Sequence, residues 1–127
     1  MTRSARLPRD VVAAIAGGRR LEIRAGAGRH RFIGIWAVVA EGRVFVRSWS
    51  LKPRSWYRTF QTDPVGAIRV RGRAVPIQAV RTRSARLKRA VDRAYLRTYA
   101  SPGEIRYARD LCRAVSRATT TELVPAR

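Results

Sequence analysis

Residues 32–49, FIGIWAVVAEGRVFVRSW, decide the fold. Residues 32–40 carry apolar side chains on both alternating faces, a pattern typical of a strand that is buried on both sides. One face has Phe32, Trp36 and Val38, and the other has Ile33, Ile35 and Val39. Glu41 and Gly42 then resemble an Asp-Gly hairpin turn, and residues 43–49 supply a returning strand. The stretch therefore predicts an antiparallel hairpin with its first strand in the core.

The flanking sequence alternates between strand and helix patterns. Four more strands are predicted, at residues 21–24, 66–70, 73–80 and 118–124. Helices are predicted at residues 8–16, 56–61, 84–99 and 104–115. The strands at 66–70 and 73–80 form a second hairpin around Arg71 and Gly72, and Pro76 predicts an edge position or a bulge there. A mixed α+β protein follows.

Length and charge set the broad class. The chain has 127 residues with 28 Lys plus Arg against 8 Asp plus Glu, a formal net charge of +20. This length predicts a single domain over residues 1–127, and the 46% hydrophobic content is enough for a packed core. The longest apolar stretch, residues 33–40, is far shorter than the roughly 20 residues of a membrane helix. No membrane segment and a cytoplasmic location are therefore expected.

The cysteine and histidine content excludes two kinds of stabilisation. Cys112 has no second cysteine with which to form an internal disulfide, and His30 is the single histidine. The two residues do not have the spacing of a zinc site. We therefore expect no structural metal and a buried, structural role for the Cys112 thiol.

The basic excess is almost entirely arginine, because Lys52 and Lys88 are the only lysines. One interpretation is a GC-rich genome, and the other is an anionic partner, either a nucleic acid or a phosphorylated cofactor. The outward face of the helix at 84–99 carries Arg86, Arg89, Arg93 and Arg97. This stripe is either a solvated face or a nucleic-acid surface without base specificity, since it offers no aromatic side chain for stacking and no Asn or Gln.

Signatures of common enzymes are missing, so a cofactor-like cluster is the main functional signal. Gly26 and Gly28 begin a dinucleotide fingerprint that has no third glycine, and no phosphate loop or nucleophile elbow follows. A basic loop at residues 28–31 instead precedes the buried strand. Hydroxyl and aromatic side chains follow the next strand, namely Ser48, Trp49, Ser50, Trp56 and Tyr57. Such groups stack on a planar ring and bind its phosphate, although Trp56 and Tyr57 could equally pack their helix onto the sheet.

Four segments resemble known families. Residues 35–47, 54–57, 92–100 and 118–125 together resemble an uncharacterised bacterial domain-of-unknown-function family, the family 2255 type. Ser55-Trp56-Tyr57, followed by Asp63-Pro64 and then Gly72, also resembles the motifs of deazaflavin-dependent nitroreductases. Both likenesses imply the flavin-binding split β-barrel. The fold expected is α+β, a split β-barrel of about six mostly antiparallel strands with helices packed across its openings.

The resemblance also implies a site. Arg29, His30 and Arg31 would face the phosphate of FMN or a deazaflavin, while Ser48, Trp49, Ser50, Trp56 and Tyr57 would lie beside its ring system. Tyr95 and Tyr99 would line the substrate side. A homodimer with a small-molecule substrate, and reduction of small organic compounds, would follow. At the positions of residues 28–35, the nitroreductases have basic, hydroxyl-bearing and proline residues. This chain has the basic residues there but not the hydroxyl-bearing residues or the proline. A nucleic-acid-binding module and a barrel that has lost its cofactor are the alternatives.

Overall fold

The computed structural model describes residues 6–18, 20–28 and 31–126. These residues form six strands and five helices. The strands are β1 (Arg20–Ala25), β2 (Ile33–Ala40), β3 (Arg43–Val46), β4 (Val65–Val70), β5 (Arg73–Arg81) and β6 (Thr121–Pro125). The helices are α1 (Arg9–Gly18), α2 (Trp56–Thr62), α3 (Ala85–Thr98), α4 (Ile105–Leu111) and α5 (Ala114–Arg117). Each predicted helix or strand is found as the same type of element and in the same order, and the helix predicted at 104–115 is divided into α4 and α5.

The six strands close into a barrel in the order β1-β2-β3-β6-β5-β4, with β4 paired back onto β1. Every pair in this barrel is antiparallel. Closure leaves no strand with an unpaired edge along its full length, which removes the main route to edge-to-edge aggregation. The predicted α+β class and six-stranded antiparallel barrel are confirmed.

The barrel interior is filled by alternate side chains from all six strands. Leu21 and Ile23 of β1 pack with Ile35 of β2, and the other strands contribute in the same way. Helix α1 adds Val11 and Ile15 to this cluster, and α2 adds three aromatic residues, Trp56, Tyr57 and Phe60. The interior is therefore a packed core to which both helices belong.

Strand β2 is buried on both faces, as its sequence predicts. Ala37 points into the barrel, while Val38 and Ala40 join a second apolar cluster with α3 and α4. Tyr95 and Tyr99 are the largest side chains of that outer cluster. The expectation is wrong at the beginning of β2, where Ile33 lies on the same face as Ile35 but is 46% exposed, because it borders two open clefts.

Both hairpin turns use backbone conformations with positive φ. Glu41 and Gly42 have φ of 55° and 72°, and Arg71 and Gly72 have 51° and 77°. Two consecutive positive φ values are characteristic of the type I′ turn, whose twist matches that of the paired strands. The two predicted hairpins are therefore confirmed with their turns at the predicted residues.

Three predicted boundaries differ from the structure by more than two residues. Strand β3 ends at Val46, and β6 begins only at Thr121. The helix predicted at 104–115 is interrupted, because Arg113 is extended with φ −76° and ψ 158°. Each of these three boundaries is next to Arg47 or next to one of its hydrogen-bond partners, Thr120 and Leu111.

Gly66 provides a test of the close packing between α2 and the barrel. A Cβ atom at this position would lie 2.3 Å from the Arg24 carbonyl oxygen and 3.1 Å from Phe60 Cε1. We expect Gly66→Ala to lower the free energy of unfolding by at least about 1–3 kcal/mol, since neither the paired strand nor the ring can move freely. In the matched variant Gly17→Ala, the new methyl group meets nothing within 4 Å inside a helix. That variant should be neutral or more stable by up to about 1 kcal/mol in urea unfolding. Equal stability of the two variants would contradict the packing described.

Candidate functional site

Arg47 follows the last residue of β3 and its side chain is fully buried, with 0% exposed. Its Nε donates to Thr120 Oγ1 at 2.8 Å, and Nη1 donates to Asp92 Oδ1 at 2.5 Å and to the Leu111 carbonyl at 3.0 Å. Nη2 donates to the Lys88 carbonyl at 3.0 Å. A buried guanidinium is tolerated only when its donors are satisfied in this way. Arg47 therefore joins the end of β3 to α3, α4 and the residue before β6.

Neighbouring polar groups extend this network. Arg117 Nε lies 3.2 Å from the second oxygen of Asp92, so this carboxylate faces two cations. The Ser48 amide donates to Thr119 Oγ1 at 2.8 Å, which holds the chain against β6 as it leaves β3. The Cys112 thiol donates to the Asp92 carbonyl at 3.7 Å, and burial raises its pKa. A raised pKa disfavours the reactive thiolate, which supports a structural role for Cys112.

Serine hydroxyls shape the loop between β3 and α2. Ser48 Oγ donates to the Ser50 carbonyl at 2.7 Å and accepts from the Ser50 amide at 3.1 Å. Ser50 Oγ accepts from the Lys52 amide, and Ser55 Oγ caps α2 by accepting from the Arg58 amide at 3.3 Å. Serines commonly form such local bonds at turns and helix N-caps. The hydroxyls predicted to bind a cofactor are thus already engaged in fixing the loop.

A cleft of about 410 Å³ lies between this loop, the beginning of β2 and the beginning of α2. We call it the tryptophan cleft. Its lining consists of Ile33, Gly34, Ile35, Arg47, Ser48, Trp49, Ser50, Lys52, Arg54, Ser55 and Trp56. Two isoleucines and two tryptophans give it an apolar wall, and Lys52 and Arg54 add positive charge. Its volume falls in the usual range for small-molecule sites.

A smaller cleft of about 210 Å³ adjoins it and adds a further cation. The two clefts share Ile33, Arg54 and Trp56, and the smaller one is also lined by Arg31. Together they bring the cations Arg31, Lys52 and Arg54 beside an aromatic wall. Neither lining contains a carboxylate among the residues that the structure describes. The combined surface suits an anionic ligand that has a flat apolar part.

Trp49 belongs to an aromatic cluster at the edge of the tryptophan cleft. Its ring lies edge-on to Trp36 at 5.6 Å and to Tyr107 at 6.5 Å, and Trp36 stacks on Tyr99 at 4.1 Å. Trp49 is nevertheless 49% exposed. An exposed ring held in place by edge contacts keeps one side free for a ligand without a large ordering cost.

The structure brings together five of the ten predicted site residues. Four of these line the tryptophan cleft, namely Ser48, Trp49, Ser50 and Trp56, and Arg31 lines the adjoining cleft. Tyr57 follows Trp56 in α2 but lines a different cleft, with Arg81 and Phe60. The Trp-Tyr pair is therefore divided between two sides of one helix. Arg29 and His30 lie outside the described residues.

Tyr95 and Tyr99 lie in the core and line none of these clefts. Both are buried, and their hydroxyls donate to the Trp36 and Ala37 carbonyls at 2.7 and 2.8 Å. Burial raises the pKa of Tyr95, so its phenol stays neutral. The two tyrosines connect α3 to β2 through these hydrogen bonds, and a substrate beside them stays a prediction.

Sequence reasoning missed the cations of the cleft itself. Lys52 and Arg54 flank Pro53 in a loop with no periodic pattern, and Arg47 lies within the strand predicted at 43–49, where a charged side chain is expected to face solvent. The loop composition alone could have indicated Lys52 and Arg54. The burial of Arg47 depends on α3, α4 and β6, which are distant in sequence, so no local signal could have indicated it.

The predicted arginine stripe is exposed on α3. Arg86, Arg89, Arg93 and Arg97 are all accessible, and Arg86 forms an ion pair with Glu41. Binding of nucleic acid by this stripe stays a prediction. Within the described ranges, no group of His, Cys, Asp and Glu side chains could hold a metal ion. No helix among the described residues is long and apolar enough to cross a membrane.

Comparison with known proteins gives a family and a fold. A family described as "Uncharacterized protein conserved in bacteria (DUF2255)" matches residues 12–123. The chain is also similar to the crystal structure of the conserved hypothetical protein Rv2991 from Mycobacterium tuberculosis. That similarity has a TM-score of 0.61 at 13% identity and covers all of this chain and 86% of that one. At this identity the similarity shows the fold alone. No curated protein matches the sequence.

Replacing Arg47 tests its role in the network. We expect Arg47→Ala to lower the free energy of unfolding by about 3–5 kcal/mol, because Asp92 and two carbonyls lose a buried cation. Arg47→Lys keeps the charge but cannot reach the four acceptors, so we expect it to recover less than half of the loss. The matched control is Arg69→Ala, since Arg69 forms an ion pair with Glu22 at 2.9 Å in which both side chains are about 40% exposed. Such exposed pairs contribute about 0–1 kcal/mol. Urea unfolding with equal losses at Arg47 and Arg69 would contradict the assignment.

Proposed function

Because this chain belongs to the DUF2255 family of uncharacterised bacterial proteins, we infer its function from its own structure and propose that it binds a flavin or deazaflavin in the tryptophan cleft. The observation that carries the proposal is the combination of an apolar, aromatic wall with a rim of three cations. This combination matches a ligand with a planar ring at one end and a phosphate at the other.

The ring end would be held by apolar surfaces. Trp49 offers a half-exposed ring, Trp56 forms part of the wall from α2, and Ile33 and Ile35 come from β2. Gly34 lies between the two isoleucines, so the backbone there has no side chain that would narrow the cleft. Stacking on such a wall binds a planar ring through dispersion and removal of apolar surface from water.

The phosphate end would be held by cations without competing partners. Among the described residues, Arg31, Lys52 and Arg54 form no ion pair. Arginine forms two parallel hydrogen bonds with a phosphate, and these charge-assisted bonds are stronger than neutral ones. The loop that carries Lys52 and Arg54 is fixed by serine bonds and by the Ser55 cap, so little order has to be gained on binding.

A bound flavin or deazaflavin supplies electron transfer, which would make the protein an oxidoreductase of small organic substrates. The residues of this chain would orient the ring and hold its phosphate. The apolar wall formed by Ile33, Ile35 and Trp49 would exclude water from one side of the ring. No side-chain acid or base is required for that role.

A homodimer forms part of the same proposal. Ile33 is 46% exposed and Trp49 is 49% exposed at the mouth of the tryptophan cleft. A second copy of the chain lying over this mouth would cover both side chains and enclose the ring of the cofactor. Large exposed apolar side chains that lie close together are typical of such contacts.

Titration with FMN and with a deazaflavin cofactor tests the proposal. We expect saturable quenching of tryptophan fluorescence by at least one of them. Arg54→Gln should weaken that binding roughly ten- to a hundredfold through the loss of a charge-assisted contact. Trp49→Ala should weaken it by about tenfold through the loss of stacking.

Two control variants separate a site from diffuse attraction by the net charge of +20. Arg89→Gln removes one exposed charge from α3, and Val115→Ala truncates an exposed apolar side chain that lines none of the clefts described above. Both controls should bind the cofactor within about twofold of the natural chain. The proposal fails if neither cofactor binds, or if Arg89→Gln and Arg54→Gln weaken binding equally.

A further inference from the structure

A third cleft, of about 330 Å³, shares no lining residue with the tryptophan cleft or with its smaller neighbour. We call it the tyrosine cleft. It is lined by Tyr57, Phe60, Gln61, Ala79, Arg81 and Thr121. These residues come from α2, from the end of β5 and from the beginning of β6. Nothing in the function proposed above makes use of it.

The tyrosine cleft lies where α2 meets the end of the barrel. Ile77 of β5 is part of the barrel interior, and because side chains alternate along a strand, Ala79 and Arg81 follow on the same face. Thr121 of β6 is directly opposite Arg81 in the strand pairing. Tyr57 and Phe60 pack in the interior cluster from the helix side. The interior row of β5 therefore ends in a cation beside two aromatic rings.

Two polar groups of this cleft, the Tyr57 hydroxyl and the Arg81 guanidinium, have donors without a partner among the described residues. The Tyr57 phenol oxygen accepts from Gln61 Nε2 at 3.5 Å, and its own proton has no acceptor among the described residues. Arg81 forms no ion pair within the same set. Gln61 Oε1 already accepts from Arg58 at 3.1 Å, and the Thr121 hydroxyl donates to the Thr119 carbonyl at 2.8 Å. A cation and a phenol proton are left to face a ligand.

We infer that the tyrosine cleft binds a small monocarboxylic acid with a compact apolar body. Its carboxylate would accept hydrogen bonds from the Arg81 guanidinium and from the Tyr57 hydroxyl. Its body, a ring or a branched chain, would pack against Phe60 and Ala79. The carboxylate is the group that matches an arginine fork, and the volume is at the small end of the range for ligand sites.

Benzoate is the probe for this site. Amide chemical shifts of the ¹⁵N-labelled full chain are followed by NMR during titration with benzoate, benzamide or inorganic phosphate. We expect benzoate to give saturable shifts at Phe60, Gln61 and Arg81 at concentrations where benzamide and phosphate do not. Benzamide lacks the negative charge and phosphate lacks the apolar body, so each of these probes lacks one of the two features that the site is expected to recognise. Equal binding of all three probes, or no shift at these amides up to about 10 mM benzoate, overturns the inference.

Two variants of equal net charge test whether Arg81 contacts the carboxylate of benzoate. Arg81→Gln should weaken benzoate binding by about tenfold or more, whereas Arg83→Gln, two residues further along at an exposed position, should leave it within about twofold. Tyr57→Phe keeps the ring but removes the donor, and we expect a loss of about three- to tenfold. Equal effects at Arg81 and Arg83 would show attraction to the overall charge and would also overturn the inference. Trp49→Ala removes a side chain that does not line the tyrosine cleft, so it should not change benzoate binding.

Discussion

The buried guanidinium of Arg47 is the interaction on which the arrangement around the barrel depends. It uses four N–H groups to join Thr120, Asp92 and the carbonyls of Lys88 and Leu111. Removing a cation from water is costly, and hydrogen bonds from these four N–H groups offset that cost. A shift of α3, α4 or the segment before β6 would remove at least one acceptor. The outer helices and the end of β3 are therefore fixed relative to one another by one side chain.

The positions of the clefts follow from that constraint. Arg47 and the bond from the Ser48 amide to Thr119 hold the chain at the end of β3, and the loop that follows leads past the beginning of β2 into α2. Ser55 caps that helix, and consecutive residues, Trp56 and Tyr57, then point to different sides of it. One side meets the loop and the beginning of β2, and the other meets β5 and β6. A short helix thus separates an aromatic, cation-rimmed cleft from a smaller cleft with a phenol and an arginine.

Local patterns predicted the fold well and the site only in part. The two hairpins and the doubly buried β2 could be predicted because turn residues and alternation act over a few positions. The burial of Arg47 could not be predicted, since its hydrogen-bond acceptors lie more than 40 residues away along the chain. The aromatic pair in α2 was predicted as one surface, but the direction of each ring depends on which strands pack against the helix. Tyr95 and Tyr99 are predicted to line a substrate site, which stays a prediction, and the structure shows their hydroxyls bonded to the β2 backbone.

A crystal structure of the full chain with FMN or a deazaflavin cofactor tests the central claim most directly. We expect the ring to lie against Trp49 and Trp56, and the phosphate to be within hydrogen-bond distance of Arg31 or Arg54. The loop from Ser48 to Ser55 should keep the serine bonds described above, because the site is already formed without a ligand. A cofactor found on the arginines of α3 or in the tyrosine cleft, or no bound cofactor at saturating concentration, would contradict the account.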